Sequence, residues 1–160
     1  MAEQTGAAWV REFAGRWEDA WNSHRTDDVM ALLHPEIEWD DRIFWTDVLH
    51  GHDEVRTYVD TIWEVMPDVR FEEVQLFTGG PEHGGVYLFR QTASAPARFE
   101  TDKVAVTHGC DIFLEFRDGL LLRYMAQYEI SEMMRQFGVL PPRGGRIGGA
   151  YLLSLLHRRA

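Results

Sequence analysis

Between residues 71 and 130 the chain runs through four long segments, FEEVQLF, GGVYLFRQTA, RFETDKVAVTHGCDIFLEF and LLLRYMAQYEI. They are separated by GGPEHGG, SAP and RDG, all turn chemistry. Apolar residues recur mostly at every second position, the period of a strand with one buried face. Asp118 and Gly119 tolerate positive φ and fit a two-residue hairpin. Four consecutive antiparallel strands leave a large apolar face that must be covered, and the cover has to come from elsewhere in the chain.

The first 70 residues supply helices. In AAWVREFAGRWEDAWN, residues 7 to 22, Trp9, Val10, Phe13, Trp17, Ala20 and Trp21 fall at spacings of three and four, one stripe of a helix. Thr26 reads as the N-cap of a short second helix closed by Pro35, and EIEWDD then begins a strand. A third helix fits residues 53 to 65, with Val55, Tyr58, Val59, Ile62 and Trp63 on one side and Pro67 beyond its end. Late in the chain Ser131 reads as the cap of SEMMRQFG, a short helix ended by Gly138. The order predicts an α+β domain, residues 1–142, whose curved and mostly antiparallel sheet wraps around its N-terminal helices. Residues 143–160 read as a glycine-rich tail with a short apolar and basic helix.

Composition narrows the functional classes. With 160 residues, 45% hydrophobic, the chain has enough apolar side chains for one core, and no run reaches the roughly 18 residues of a membrane span. No membrane partner is expected, and the N-terminus, without a basic segment and apolar stretch, predicts a cytoplasmic location. Cys110 is the single cysteine, the seven histidines form no HExxH motif, and the one close pair, His50 and His52, flanks a glycine in an expected turn, so neither metal nor cofactor is expected. The net charge is −10, with 18 acids against 6 bases in residues 1 to 75, a balance that disfavours nucleic acid as a partner.

The order of elements, together with WNSHRTDDVMALLHPEIEWDD near the start and the EFRDGLLLRY hairpin near the end, resembles the nuclear transport factor 2-like superfamily over residues 7 to 140. Within it the chain is most similar to the SnoaL-like polyketide cyclases, relatives of ketosteroid isomerase and limonene epoxide hydrolase. The resemblance implies a cone-shaped α+β barrel, a deep apolar pocket between the concave sheet face and the helices, and homodimers formed through the sheet. Such a fold hosts many chemistries, so the residues have to decide the function.

By its place in the isomerase branch, the proton-shuttling carboxylate falls on Asp41. Alternation puts Asp40 and Asp41 on opposite faces, so one of them points inward, and a carboxylate among Trp39, Phe44 and Trp45 would be desolvated and basic enough for proton transfer. Arg90 matches an arginine of the epoxide hydrolase branch, but the acids expected with it fall on Thr92 and Ala126, and the cyclase acid falls on Ala126 as well. On the third of the four strands His108, in phase with Cys110, Ile112, Leu114 and Phe116, is expected to look toward the apolar side. Asp111 is then expected to face outward unless the hairpin carries a bulge. Trp17 stands where the isomerase branch has a tyrosine, able to donate an N–H but not to act as an acid. Tyr124, Ala126 and Tyr128 share one strand face and leave room for a ligand, and Trp17, Trp39, Tyr58, Tyr124 and Tyr128 are the expected substrate-binding walls.

Three functions fit these residues. In the first, a cofactor-free isomerase, cyclase or dehydratase acts on an apolar carbonyl, polyketide-like or steroid-like compound, with Asp41 moving the proton and Arg90, His108 or a tyrosine stabilising the oxyanion. In the second the same pocket binds a small apolar ligand without turnover, and in the third the sheet serves a dimeric adaptor.

Overall fold

The computed structural model describes residues 6–79 and 84–140; the predicted tail at 143–160 lies outside them. Four helices, α1 (Ala7–Asn22), α2 (Thr26–Met30), α3 (Gly51–Val65) and α4 (Ile130–Phe137), accompany six strands. The strands are β1 (Leu33–Asp40), β2 (Leu49–His50), β3 (Arg70–Gly79), β4 (Gly84–Ser94), β5 (Val104–Arg117) and β6 (Leu120–Tyr128). They form one open sheet in the order β2-β1-β6-β5-β4-β3, antiparallel throughout except where β1 runs parallel to β6. The architecture is the predicted α+β one, a mixed sheet whose inner face packs on α1 and α3. Among the described residues no helix is long and apolar enough to cross a membrane.

The apolar stripe of α1 is buried as its spacing requires: Val10, Phe13, Ala14, Trp17, Ala20 and Trp21 all face the sheet. At the centre Trp39 of β1 stacks on Tyr124 of β6 with ring centroids 3.8 Å apart, and Trp17 packs against both. Asp118 and Gly119 turn the β5–β6 hairpin with φ of 52° and 77°, the left-handed pair a tight two-residue turn needs.

Three local expectations are corrected. Arg25, not Thr26, caps α2; the Thr26 hydroxyl instead donates to Asp60 and accepts the Trp63 indole N–H, tying α2 to α3. Pro35 does not close α2, which ends at Met30, but lies within β1 where the β1–β6 register shifts between Leu33 and Glu38. A proline fits there because an interrupted ladder asks for no N–H donor. Glu129 rather than Ser131 precedes α4, and its carboxylate accepts the His108 backbone N–H at 2.9 Å.

The inner face also shows where backbone and side chains meet most closely. A Cβ added to Gly109 would lie 2.5 Å from Tyr128 Cβ and 2.6 Å from Phe89 Cζ. Gly109→Ala is therefore expected to cost about 1–3 kcal/mol, the usual penalty of overpacking, read as a lower urea midpoint. An unchanged midpoint would show that the neighbours give way freely.

Candidate active site

β1 ends at Asp40, and the chain then turns back on itself: the Asp41 carbonyl accepts the backbone N–H groups of Phe44 and Trp45 at 3.1 and 2.8 Å. That turn fixes the alternation. Asp40 faces outward and forms a two-pronged ion pair with Arg42, whose hydrogen bonds hold its carboxyl below the usual range. Asp41 faces inward and is 2% exposed. Its carboxylate accepts the Tyr58 hydroxyl on one oxygen and the Tyr128 hydroxyl on the other, the latter at 2.9 Å. Burial raises its proton affinity above that of an ordinary carboxyl, against the opposing pull of the two tyrosine hydroxyls.

Asp111 is the residue that periodicity placed wrongly. The even-numbered residues of β5, among them Val104, Val106, Cys110, Ile112 and Leu114, are the more apolar set, so alternation turns them inward. The structure does the reverse: Ala105, Thr107, Asp111 and Phe113 are buried, and Val104 and Val106 are exposed. A bulge, visible as register shifts around Glu115, returns Phe116 to the inner side, where it packs on Phe13. The strand thus shows two phases, and its last apolar residue reports the wrong one for the rest.

Asp111 is 7% exposed and accepts the Trp17 indole N–H at 2.8 Å and the Tyr124 hydroxyl at 2.5 Å. Burial pushes its carboxyl up to about 7; the two hydrogen bonds act downward, and the nearby negative charge of Asp41 acts upward. In the β5–β6 ladder Asp111 stands directly opposite Ala126. The position where the resemblance called for an acid therefore holds a small side chain, and its cross-strand neighbour carries the carboxylate.

Asp41, Asp111, Tyr58, Tyr124 and Tyr128 converge on one narrow cavity, with about 40 Å³ open to the centre of a water molecule and about 480 Å³ when all the space out through its open mouth is counted. The remaining wall is mostly apolar: Trp21, Phe44, Phe71 and Phe89 are aromatic, Ile62, Met66, Ile130 and Met133 aliphatic, and Gln91 adds one amide. Among the described residues no cationic side chain lines it.

Of the residues predicted from sequence, Asp41, Tyr58, Tyr124 and Tyr128 line this cavity. Trp17 and Trp39 do not; they are buried behind the wall, Trp17 as a donor to Asp111 and Trp39 stacked under Tyr124. Arg90 and His108 are a correction: they face each other across the β4–β5 ladder on the outer side of the sheet. Arg90 pairs there with Glu72, and His108 lies near Glu129. A lone arginine in an apolar strand has two outlets, a buried acid or water, and here Glu72 on the outer face supplies the partner. Sequence reasoning gave no role to Gln91, and its one signal was an amide on the inner phase of β4 between Phe89 and Ala93.

Residues 14–124 match the family described as the SnoaL-like domain. Among solved structures, TsrD from Streptomyces laurentii is 20% identical over 84% of this chain and 98% of its own, with a TM-score of 0.68. A protein with a ketosteroid isomerase-like fold from Catenulispora acidiphila, in complex with trimethylamine, gives a TM-score of 0.71 at 12% identity, over 83% of this chain and 99% of its own. TerC, co-crystallised with polyporic acid, gives 0.65 at 12% identity, over 81% of this chain and 98% of its own. At these identities the likeness is one of fold. No curated protein matches this chain.

Proposed function

The chain belongs to the SnoaL-like family, and on that premise we propose that it is an enzyme performing cofactor-free acid–base chemistry on an apolar carbonyl compound. The observation that carries this reading is the pair of buried carboxylates on one aromatic-walled cavity, each held by two aromatic donors. Such donors fix the orientation of a carboxylate without supplying a full positive charge to neutralise it, so its proton affinity stays high enough for proton transfer near neutral pH.

In this reading Asp41 takes the proton from the carbon next to the carbonyl and returns it elsewhere on the substrate. Asp111 retains its proton up to about pH 7 and donates a hydrogen bond to the carbonyl oxygen as negative charge develops there. Tyr58 and Tyr128 keep Asp41 aimed, and Trp17 and Tyr124 do the same for Asp111. Isomerisation, aldol cyclisation and dehydration all share this step. The polyporic acid of the TerC crystals supports a small-molecule ligand in a fold of this kind.

The test does not require the natural substrate. 2-Tetralone and similar cyclic ketones are incubated with the protein in D₂O, and loss of the protons next to the carbonyl is followed by NMR. At least about tenfold acceleration over buffer is expected for ketones that fit, a modest part of the 10²–10⁴ that a positioned base supplies. Exchange at the buffer rate for the whole panel would remove the enzymatic reading.

The same reading includes a homodimer through the outer face of the sheet. Phe77, Val86, Ile112 and Met125 form one apolar row across four strands there, and Phe77, Val104 and Val106 are exposed. An apolar row of this length on an open sheet face suits a partner surface better than water. Sedimentation equilibrium is expected to give twice the chain mass, and Ile112→Lys the single chain mass. A wild-type monomer at all concentrations would exclude the dimer.

A further inference from the structure

The four donors that hold the two carboxylates come from three separate elements: Trp17 from α1, Tyr58 from α3, and Tyr124 and Tyr128 from β6. A hydrogen bond weakens steeply once its donor tilts away, so the aim of Asp41 and Asp111 depends on how these elements are spaced behind the wall. One ring lies against three of the four donors. Trp39 of β1 stacks on Tyr124 with centroids 3.8 Å and planes 27° apart, and it meets Tyr58 at 5.5 Å and Trp17 at 6.0 Å. Trp17 also touches Tyr124 directly at 5.6 Å, so the two holders of Asp111 support each other. No such contact joins Tyr58 to either of them: among the described residues, Trp39 is the one aromatic ring that meets both Tyr58 and the holders of Asp111.

Backbone geometry puts the ring there. Trp39 pairs with Tyr124 in the parallel β1–β6 ladder, which sets the two side chains next to each other on the inner face. Trp39 also precedes Asp41 by two residues, and both are buried on that face, so a fixed ring fixes the point from which the carboxylate leaves the backbone. The residue is 1% exposed, and its indole N–H has no acceptor among the described residues. A buried donor left unpaired is destabilising, so hydrogen bonding does not account for an indole at this position. What the indole offers beyond a single ring is breadth, enough to lie against Tyr124, Trp17 and Tyr58 at once.

We propose that Trp39 is a positioning residue for the proton-transfer site, a rigid plate that sets Tyr58 against Asp41 and, at the same time, Tyr124 and Trp17 against Asp111. It donates to neither carboxylate and does not line the cavity, so it acts only through the donors. The two acid–base groups are thereby held as one unit, and a disturbance of the plate reaches both. The catalytic consequence rests on the acid–base reading of the site, whereas the placement itself is measured without a substrate.

The experiment follows the aspartate carboxyls by ¹³C NMR titration in the wild type, Trp39→Phe, Trp39→Met and Leu33→Ala, and in a protein carrying 3-benzothienylalanine at position 39, which keeps the two-ring outline and lacks the N–H. In Trp39→Phe the space left is lined by the rings of Trp17, Trp21 and Tyr124, and an apolar space of this kind stays dry. Loss of donor geometry is then expected to raise both midpoints by about half a pH unit or more, part of the roughly one unit that a hydrogen bond to a charged group is worth. Trp39→Met, which fills the space with a flexible chain, is expected to act in the same direction, and the isosteric protein to keep the wild-type midpoints. Leu33 is equally buried and lies six residues back along β1, about 20 Å away at the rise of a strand. Leu33→Ala is expected to lower the urea midpoint at least as much as Trp39→Phe while leaving both carboxyl midpoints in place. For ketones that exchange, Trp39→Phe is expected to lower kcat about tenfold with KM nearly unchanged, less than the 10²-fold that a misplacement of about 1 Å can cost. Unmoved midpoints in both Trp39 variants, a shift confined to one carboxyl, a shift in the isosteric protein, or an equal shift in Leu33→Ala would overturn the positioning role and leave the acid–base reading standing. Absence of ketone exchange in the wild type would remove the acid–base reading, and raised midpoints would still place Trp39 behind both carboxyls.

Discussion

Replacing Asp41 by asparagine is expected to lower proton-transfer turnover by about 10³-fold, within the 10²–10⁴ a general base contributes, while leaving the fold and the ligand affinity nearly unchanged. The amide keeps the shape of the carboxylate and one acceptor oxygen, so either Tyr58 or Tyr128 retains its partner. What disappears is the ability to take a proton. Tyr128→Phe should act more weakly, since Tyr58 still holds the carboxylate, and should shift the pH profile of turnover to higher pH because one hydrogen bond to the ionised form is gone. Exchange of ketone protons followed by NMR for the three proteins checks both statements. Full activity in Asp41→Asn would assign the chemistry elsewhere.

The second large effect is one of stability. Asp111 has a folded-state value of about 7 against an ordinary 3.8, and its chief cause is burial. Because the folded value is the higher one, the native state binds the proton more tightly than the unfolded chain. The stability this confers is fully present below the ordinary value and is lost as the pH rises through about 7. The gap corresponds to about 4 kcal/mol, an upper bound. Asp111→Asn removes the cost of ionising in an apolar wall but weakens the bonds from Trp17 and Tyr124, each worth about 1 kcal/mol. The variant is therefore expected to be about 2 kcal/mol more stable than the wild type at pH 8, with the difference vanishing or reversing at pH 5. Urea unfolding at the two pH values measures it. An equal difference at both would mean that Asp111 ionises as readily in the fold as outside it. A functional group that lowers stability at working pH is common at active sites.

Much of the fold was written in local patterns. The α1 stripe predicts residues 7 to 22 and the structure gives Ala7–Asn22, because five of the six side chains that fix its period are buried against the sheet, Trp9 being half-buried at its edge. The Asp118–Gly119 hairpin follows from the two residue types that accept positive φ. That Asp40 and Asp41 face opposite ways follows from alternation; the choice of Asp41 rests on the resemblance, and the structure turns it inward in phase with the buried Ile37 and Trp39.

The rest depended on features that local pattern does not carry. β5 buries its less apolar face, because the more apolar one forms the outer row with Val86 and Met125, and a bulge hides the change of phase. His108 and Asp111 exchanged faces as a result, and with them the second carboxylate of the site. Arg90 went outward because Glu72 waits for it across the β3–β4 ladder, a pairing that needs the register to be seen. Trp17 and Trp39 have the size and polarity of ligand contacts, but packing against Tyr124 puts them one layer behind the wall.

Whether two desolvated carboxyl groups share the cavity is open to a ¹³C NMR titration of the aspartate side chains, with Asp41→Asn and Asp111→Asn used to assign the two resonances. One carboxyl is expected to titrate near 7 and to be assigned to Asp111, and a second to titrate above the ordinary 3.8 and to be assigned to Asp41. Midpoints at or below 3.8 for both would contradict the proposed chemistry, since carboxylates that ionise so readily are in contact with water or a cation.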